Sequence, residues 1–380
     1  MKLKPFIPII ASLILFGAFL AIPASWLTGL ISTKTLETQR ISLSEQVLKG
    51  TIIQDKMYQT NSYYPIYGSS ELGKGDPFNP ALLLNHEAIS KKPFLIGTGG
   101  STDLVNAVEI GSQYNNLKGK KMAFIVSPQW FTNNGLTAEN FKARISKAQL
   151  NQLFGQKDLS PRLKKRFAKR LLQFKDVENR AYLEKIAQQP ENIEGSFVTS
   201  FKAKQLKKIE AIKSICPLMT SELMRVAPIK RNGESWKSVQ MKAENYGEAR
   251  TQTNKYGIKD EYWDLIKNHK RKINRDYEFN IDSPEFNDLA LLVDTLYEAG
   301  ADVEYINLPS NGKWYDYIGI DKNRRQNVYK KINETIIAHG GKVYDMTDKD
   351  YEPYVVSDAV HIGWKGWVYI SERIKQHLEE

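Results

Sequence analysis

Residue types that together perform acyl transfer stand near opposite ends of the chain. Ser69 and Ser70 follow an apolar run in "PIYGSSELG", and Asp358 and His361 are three residues apart in "SDAVHIGWKGW". A serine hydroxyl is a weak nucleophile until a base takes its proton, and a histidine oriented by a carboxylate is such a base. The spacing of three lets Asp358 turn back and accept the Nδ1–H of His361, so that Nε2 faces a serine.

Each of these residues also has an ordinary structural interpretation. The serine pair alone would indicate only a turn, Asp358 could cap the helix that follows it, and His361 could be a surface or core histidine. Ser101 is a second candidate nucleophile, which we interpret as a helix N-cap. Because no two histidines share a helical face with a carboxylate at ligand spacing, we expect neither a metal site nor a cofactor.

Strand and helix patterns alternate around these residues. The strand patterns are "PIYG", "KKPFLIG", "KMAFIV", "DVEYINLP" and "KVYDMT", and helical patterns stand between and after them, as at residues 104–110 and 323–338. Such alternation predicts an α/β fold with helices on both faces of a parallel sheet. Residues that follow parallel strands meet at one edge of the sheet, which would bring Ser70 and His361 to a common site.

The N-terminal segment has the composition of a membrane anchor. Lys2 and Lys4 precede an uncharged run over residues 5–31, which is long enough to cross a bilayer as a helix. A cleaved signal peptide that ends near "AIPAS" is the alternative. The positive-inside rule puts the N-terminus in the cytoplasm. We therefore predict a cytoplasmic tip and transmembrane anchor over 1–31, a polar, partly helical stalk over 32–60 and an extracellular domain over 61–380.

The positive charge of the chain is concentrated in one region. Residues 141–220 hold 18 Lys and Arg against 7 Asp and Glu, which accounts for the whole net charge of +11. This block falls in a predicted, mainly helical insertion over about 137–270, where strand signals are few. A basic block favours an anionic partner, and an external location argues for a lipid or polymer rather than nucleic acid. Cys216 is the only cysteine, so no disulfide can form within the chain.

The order of the motifs resembles a known pattern. "GSSEL" near the start, "GTGGSTD" and "SPQWF" in the middle and the C-terminal Asp-x-x-His resemble the SGNH/GDSL hydrolases. More closely, and over nearly its full length, the chain resembles the DltD family of membrane-anchored proteins that act in teichoic acid D-alanylation in Gram-positive bacteria. The resemblance implies a three-layer, flavodoxin-like parallel sheet with a helical insertion, after an N-terminal transmembrane helix.

The resemblance also implies a role for each motif residue. Ser70 stands where the hydrolases have the nucleophile of Gly-Asp-Ser, although Ser69 replaces the aspartate of that motif. Asp358 and His361 match the acid and the base of the same pattern. A Ser-His-Asp triad of Ser70, His361 and Asp358 is therefore expected.

The remaining site residues are expected around this triad. The oxyanion glycine falls in "TGGS", at Gly100 or else at Gly99, whereas "SPQWF" lacks the asparagine donor of the wider pattern and offers Gln129 instead. Trp130 and Trp364, next to the motifs, could wall the pocket or belong to the core. The expected polymer contacts are the cations of one basic helix: Lys164, Lys165, Arg166, Lys169 and Arg170.

These implications predict a membrane-anchored, extracellular serine enzyme of lipoteichoic or wall teichoic acid D-alanylation. Its reaction would be D-alanyl transfer or a thioesterase or esterase step. Its expected partners are the teichoic acid, a D-alanyl donor (the acyltransferase or carrier protein of the same pathway) and the membrane, but not nucleic acid. A non-catalytic scaffold that gathers carrier, acyltransferase and polymer is one alternative, and a general cell-surface esterase or lipase is another.

Overall fold

A five-stranded sheet forms the centre of the computed structural model, which describes residues 6–191, 196–215, 221–267 and 273–380. Its strands are β1 (Tyr63–Gly68), β2 (Lys92–Gly97), β3 (Lys121–Val126), β4 (Asp302–Asn307) and β5 (Lys342–Asp345). All neighbours are parallel, in the order β2-β1-β3-β4-β5. This is a strand order of doubly wound α/β folds, so the predicted α/β class and parallel sheet are confirmed.

Helices connect the strands and form the insertion. In chain order they are α1 (Ile7–Ala21), α2 (Ala24–Gly29), α3 (Thr33–Gln39), α4 (Glu45–Leu48), α5 (Ile52–Thr60), α6 (Pro80–Leu83), α7 (Asp103–Ser112), α8 (Ala138–Arg144), α9 (Lys147–Gly155), α10 (Pro161–Leu171), α11 (Arg180–Gln188), α12 (Ser200–Ile215), α13 (Trp236–Glu248), α14 (Asp260–Ile266), α15 (Glu285–Glu298), α16 (Gly312–Ile318), α17 (Lys322–Ala338) and α18 (Trp364–Glu379). The described part of the predicted insertion, about 137–270, contains α8 to α14 and no strand.

Side chains of the strands alternate between two hydrophobic cores, one on each face of the sheet. Tyr67 and Phe124 pack with residues of α5, α7 and α15. Their neighbours Ile66 and Ile125 pack with residues of α6, α13 and α18. Successive side chains of a strand point to opposite faces, so the sheet is the middle of three layers. Burial on both faces explains why these strands are almost continuously apolar.

The N-terminal apolar run is divided into two helices rather than forming one. Ile22 has an extended backbone, with ψ 126°, and Pro23 is the N-cap of α2. Proline lacks an N–H and disfavours helical backbone at the preceding residue, which explains the break. Across the described residues, every helix is too short or too polar to cross a membrane. Lys2 and Lys4, on which the predicted orientation depends, lie outside the described residues, as does Cys216.

Residues 32–60 belong to the body of the protein, so the prediction of a polar stalk was wrong. Val47, Ile53 and Met57 are at most 1% exposed and pack in the same core as Tyr67. Apolar side chains stand among polar ones in this segment and face the core. The prediction considered the average polarity of the segment and therefore missed its buried face.

Candidate active site

Loops that leave the strands at their carboxyl ends meet at one edge of the sheet. Ser69 and Ser70 follow β1, residues 98–101 follow β2, and residues 127–130 follow β3. Asn311 lies after β4, just before α16, and the loop with Asp358 and His361 lies between β5 and α18. In parallel α/β sheets this edge is where ligands bind.

Ser70, His361 and Asp358 form one hydrogen-bonded series at this edge. The Oγ of Ser70 lies 2.9 Å from the Nε2 of His361, and the Nδ1 of His361 lies 2.6 Å from the Oδ2 of Asp358. The His361 and Asp358 side chains are 16% and 17% exposed. An ionised carboxylate only accepts hydrogen bonds, so the proton of this tautomer is on Nδ1, and Nε2 can accept the proton of the serine. The structure therefore brings these three predicted residues together.

The loop around Asp358 holds its carboxylate in place. The Oδ1 atom accepts the backbone N–H groups of Val360 and His361, both at 2.8 Å. Burial by itself would raise the pKa of Asp358, but the hydrogen bonds from His361 and the backbone, together with the His361 charge, lower that pKa below its ordinary value. Asp358 is therefore ionised at neutral pH and can orient the imidazole.

Asn311 fixes the same loop from the β4 side. Its Nδ2 donates to the carbonyl oxygens of Asp358 and Tyr256, at 3.1 and 3.0 Å, and its backbone N–H donates to the carbonyl of Ala359 at 2.9 Å. Its Oδ1 accepts the N–H of Trp314 as the N-cap of α16. Asn311 thereby ties the position of the Asp358 loop to the sheet. The sequence offers no signal for this role, because an asparagine at an N-cap is common.

Ser69 is a structural residue beside the candidate nucleophile. It is 2% exposed, and its Oγ accepts the indole N–H of Trp130 at 3.1 Å and donates to the carbonyl of Thr98 at 3.3 Å. Its backbone N–H donates to Glu71 at 2.6 Å, and the other carboxylate oxygen of Glu71 accepts the Ser127 hydroxyl at 3.1 Å. The loops after β1, β2 and β3 are thus joined through a single serine.

Glu71 is a site residue that the sequence did not identify. It is 1% exposed, and burial raises its pKa, against the hydrogen bonds from the backbone and the nearby charge of His361. A carboxyl in such a position supports the loop of Ser70 rather than contacting a substrate. In the sequence it stands in an otherwise ordinary loop, "SSELG".

Backbone groups near Ser70 are available to bind an oxyanion. A Cβ built on Gly99 would lie 3.6 Å from the Cβ of Ser70, so this glycine lies beside the candidate nucleophile. Gly100 has φ +82°, which only glycine adopts easily, and turns the loop after β2. In the described residues, the backbone N–H groups of Ser70 and Gly100 donate to no other backbone group. Unpaired N–H groups of this kind are the donors that an oxyanion site uses.

Gln129 and Asn140 carry side-chain amides on the β2 and β3 side of this edge. Gln129, in the 3-10 helix Pro128–Trp130, is 7% exposed, and its buried Oε1 has no partner in the described part of the chain. Asn140 lies in α8, and its Oδ1 would be 2.9 Å from a Cβ on Gly100. The sequence did not identify Asn140, because it stands one helix further along the chain than the expected donor.

The two tryptophans differ in their surroundings. Trp130 is part-exposed and contacts Ser69, so it lies at the site. Trp364 is 3% exposed and packs against Tyr246, with a ring separation of 6.0 Å, in the core on the α18 side of the sheet. Trp364 is therefore a core residue, which was the other interpretation of its position.

The cations of α10 have two different environments. Three arginines, spaced four residues apart, pair with carboxylates of α15: Arg162 with Glu298, Arg166 with Asp294, and Arg170 with Asp288. Asp288 is 1% exposed, and Arg170 contacts both of its oxygens, at 2.7 and 2.8 Å. The arginines thus attach α10 to α15. Lys164, Lys165 and Lys169 form no ion pair with any described carboxylate, and they remain the candidates for polymer contacts.

A metal ion has no candidate site in the described ranges, where no three His, Cys, Asp or Glu side chains are grouped suitably.

The fold and the site together define the class of protein. It is an α/β protein in which a serine, a histidine and an aspartate are hydrogen-bonded in series at the carboxyl edge of a parallel sheet.

Comparisons with known proteins give the family. The family model described as DltD protein matches residues 40–379. Protein DltD of Staphylococcus aureus is 60% identical over 379 residues, covering 100% of this chain and 97% of that protein. Protein DltD of Bacillus subtilis is 35% identical over 385 residues, covering 99% and 97% of the two chains. Protein DltD of Lacticaseibacillus rhamnosus is 26% identical over 384 residues, covering 98% and 90%. The chain belongs to the DltD family.

Proposed function

We propose that this protein is a membrane-anchored, extracellular serine acyl-transfer enzyme that acts in the D-alanylation of lipoteichoic or wall teichoic acid. The observation that carries the proposal is the 2.9 Å contact between the Ser70 Oγ and the His361 Nε2, with Asp358 on the far side of the imidazole. Membership of the DltD family supports the D-alanyl group as the acyl group and the teichoic acid as its polymer.

The chemistry follows from the order of the hydrogen bonds. The Ser70 Oγ attacks the carbonyl carbon of a D-alanyl ester or thioester while its proton passes to the Nε2 of His361. The tetrahedral intermediate collapses, the bond to the leaving group breaks, and His361 returns the proton to that group. An acyl-serine remains. A hydroxyl then gives its proton to His361 and attacks the carbonyl carbon of the acyl-serine. The bond between that carbon and the Ser70 Oγ breaks, and His361 returns the proton to Oγ, which releases the product and restores Ser70.

The oxyanion of the intermediate would be stabilised by nearby donors. The backbone N–H groups of Ser70 and Gly100 and the amide of Gln129 are the first candidates, and the amide of Asn140 is a further one. A single donor of this type contributes about 3 kcal/mol to the stability of the transition state.

The acceptor hydroxyl decides which reaction is observed. Attack by a polymer hydroxyl completes a transfer, whereas attack by water completes a hydrolysis. The same residues serve both reactions, because His361 acts identically on either hydroxyl. The donor in this proposal is the acyltransferase or the carrier protein of the same pathway.

The membrane anchor is part of the proposal and is assigned to the apolar segment of α1 and α2 together, because α1 by itself is too short to cross a bilayer. None of the residues of α1 is buried, and its sequence is apolar on every side, as is typical of a helix in lipid. Its carboxyl end is attached to the body, because the Lys208 Nζ donates to the carbonyl oxygens of Phe19 and Leu20 at 3.1 and 2.6 Å. The lysines of α10 are proposed to contact the anionic polymer.

A fluorophosphonate probe tests the proposed nucleophile. The probe reacts with an activated serine, so the wild-type protein should be labelled at Ser70, and Ser70→Ala should not be labelled. Ser101→Ala, at the rival serine, is the matched control and should still react. If Ser70→Ala is folded and labelled as fast as wild type, Ser70 is not the nucleophile. If the wild type does not react at all, the non-catalytic scaffold becomes the better account.

A further inference from the structure

The first helix of the insertion, α8, faces the loop that follows β2. Asn140 and Arg144 are four residues apart in α8, so their side chains lie on one face, about 6 Å from each other. Asn140 packs against Gly100 in this loop. Arg144, one turn further on, lies near the same loop, and Ser70 lies beside that loop at Gly99.

A cavity of about 230 Å³ lies between α8 and the loop. Its walls include Thr98 and Ser101 from the loop, Arg144 from α8 and Lys49 from the segment after α4. Two carboxyl groups, those of Glu45 and Glu109, also line it. The cavity thus adjoins the candidate active site without including the reacting atoms.

The cavity has an excess of positive charge. Burial raises the pKa of Glu109 to about 8, so this carboxyl is mostly protonated at pH 7. The exposed Glu45 then faces two cations, Arg144 and Lys49, neither of which forms an ion pair with a described carboxylate. The Nε of Arg144 is buried and has no hydrogen-bond partner in the described ranges. A buried donor without an acceptor is unfavourable, and an anionic ligand at this guanidinium would offset that cost.

We propose that this cavity binds a phosphodiester group of the acceptor polymer, and so positions a neighbouring hydroxyl at Ser70. The planar guanidinium of Arg144 matches the oxygens of a phosphate in a bidentate arrangement, and Lys49 adds a second charge. Ser101 offers a hydroxyl donor in the same wall. This inference rests on the proposed function for the identity of the polymer. In this arrangement, Arg144 of α8 binds the polymer phosphate nearest to the reacting hydroxyl. The lysines of α10 contact phosphates further along the polymer.

Binding of a glycerol phosphate oligomer tests the site without requiring catalysis. Full-length Ser70→Ala protein in a neutral detergent is titrated calorimetrically with an oligomer that carries no acyl group. Adding Arg144→Gln should weaken binding roughly tenfold or more, because a charge-assisted contact is lost. Lys142→Gln is the matched control, since Lys142 is exposed on the same helix outside the cavity and loses the same charge. Equal affinities for the Arg144 and Lys142 variants would overturn the proposal.

A second variant and a second ligand complete the test. Lys49→Gln should also weaken binding, and this variant keeps the test valid if Arg144→Gln melts at a lower temperature. Mixed micelles with phosphatidylglycerol provide a phosphodiester from lipid rather than from polymer. If Arg144→Gln weakens binding to these micelles but not to the oligomer, the cavity binds a lipid headgroup and the proposal is wrong. The binding test is independent of the labelling test of the proposed function. It uses Ser70→Ala protein, so its result stands even if wild-type Ser70 does not react with the fluorophosphonate probe.

Discussion

Trp130 donates its indole N–H to the Oγ of Ser69 over 3.1 Å, and this contact joins the loop after β3 to the loop after β1. The same hydroxyl donates to Thr98, in the loop after β2, at 3.3 Å. Ser69 stands where the hydrolases that the motifs resemble have an aspartate. Its surroundings give it a structural task, which is to hold three loops together beside Ser70.

Ser69→Ala should therefore reduce both stability and activity without abolishing either. The substitution leaves the Trp130 N–H without its acceptor, and we expect a loss of about 1–2 kcal/mol in the free energy of unfolding. Urea unfolding and hydrolysis of a D-alanyl ester measure the two effects. Ser70→Ala is the control, with nearly unchanged stability and no activity. A Ser69 variant as inactive as the Ser70 variant, at full stability, would give Ser69 a chemical role instead.

Asp358→Asn should abolish most activity while the fold is kept. An asparagine cannot hold the imidazole in the tautomer with a proton on Nδ1, and in comparable triads this change costs about 10⁴ in kcat. The lowered pKa of Asp358 means that its contribution to stability is present above the unfolded value of 3.8 and is lost as pH falls through the lower folded value. The difference in unfolding free energy between wild type and variant should thus be constant well above pH 3.8 and shrink as the pH falls from there through the lower folded value. A constant difference down to the acid limit would contradict this.

Glu109→Gln should change how stability depends on pH. Burial raises the pKa of Glu109 from 4.5 to about 8, so the folded protein holds more protons than the unfolded chain between these values. The contribution of this group to stability is present below pH 4.5 and is lost as pH rises through about 8. Its slope is at most about 1.4 kcal/mol per pH unit.

The glutamine side chain of the variant does not titrate. It can still accept the hydrogen bond from the Gln54 Nε2, which lies 2.7 Å from the Glu109 carboxylate in the wild type. We expect it to be more stable than wild type at pH 8 and to gain least at pH 5. Chemical unfolding at a series of pH values measures this difference. Glu109→Ala is the comparison, because it leaves Gln54 without its acceptor and should be less stable than the glutamine variant throughout. Parallel pH profiles for wild type and Glu109→Gln would refute the prediction.

Arg170→Gln should destabilise the protein far more than a neighbouring charge removal. Asp288 is 1% exposed, and loss of its arginine leaves a buried carboxylate without its partner, which costs about 3–5 kcal/mol in similar cases. Lys169→Gln removes the same charge from an exposed position on the same helix and should leave stability nearly unchanged. Thermal and urea unfolding compare the two. Similar melting of both variants would mean that the contact between α10 and α15 contributes little.

The sheet and the meeting of Ser70 with His361 could be predicted because both depend on simple periodic features. Apolar strands in alternation with helices require a parallel sheet, and a parallel sheet brings all its carboxyl ends to one edge. Residues that follow strands are therefore neighbours in space even when 291 positions separate them. The candidate nucleophile and its candidate base were identified by this argument and by the motif resemblance.

Other features depend on contacts that leave no periodic trace. Glu71 and Asn140 lie at the site because a loop turns and a helix packs, and neither event follows from local spacing. The arginines of α10 belonged to a basic block in the sequence, but their partners in α15 are more than a hundred residues away. Pro23 explains the break after α1 and was visible in the sequence. The prediction of one continuous helix over residues 5–31 followed their apolar composition instead.

The central claim, that Ser70 performs chemistry in D-alanylation, is tested most directly in cells. The measurement is the D-alanine ester content of the cell wall in cells whose only copy of this protein carries Ser70→Ala, with its amount and membrane association checked. We predict that the esters disappear while the protein remains at its normal level. If the esters persist at normal levels, Ser70 is not required, and the protein acts as a scaffold rather than as an enzyme.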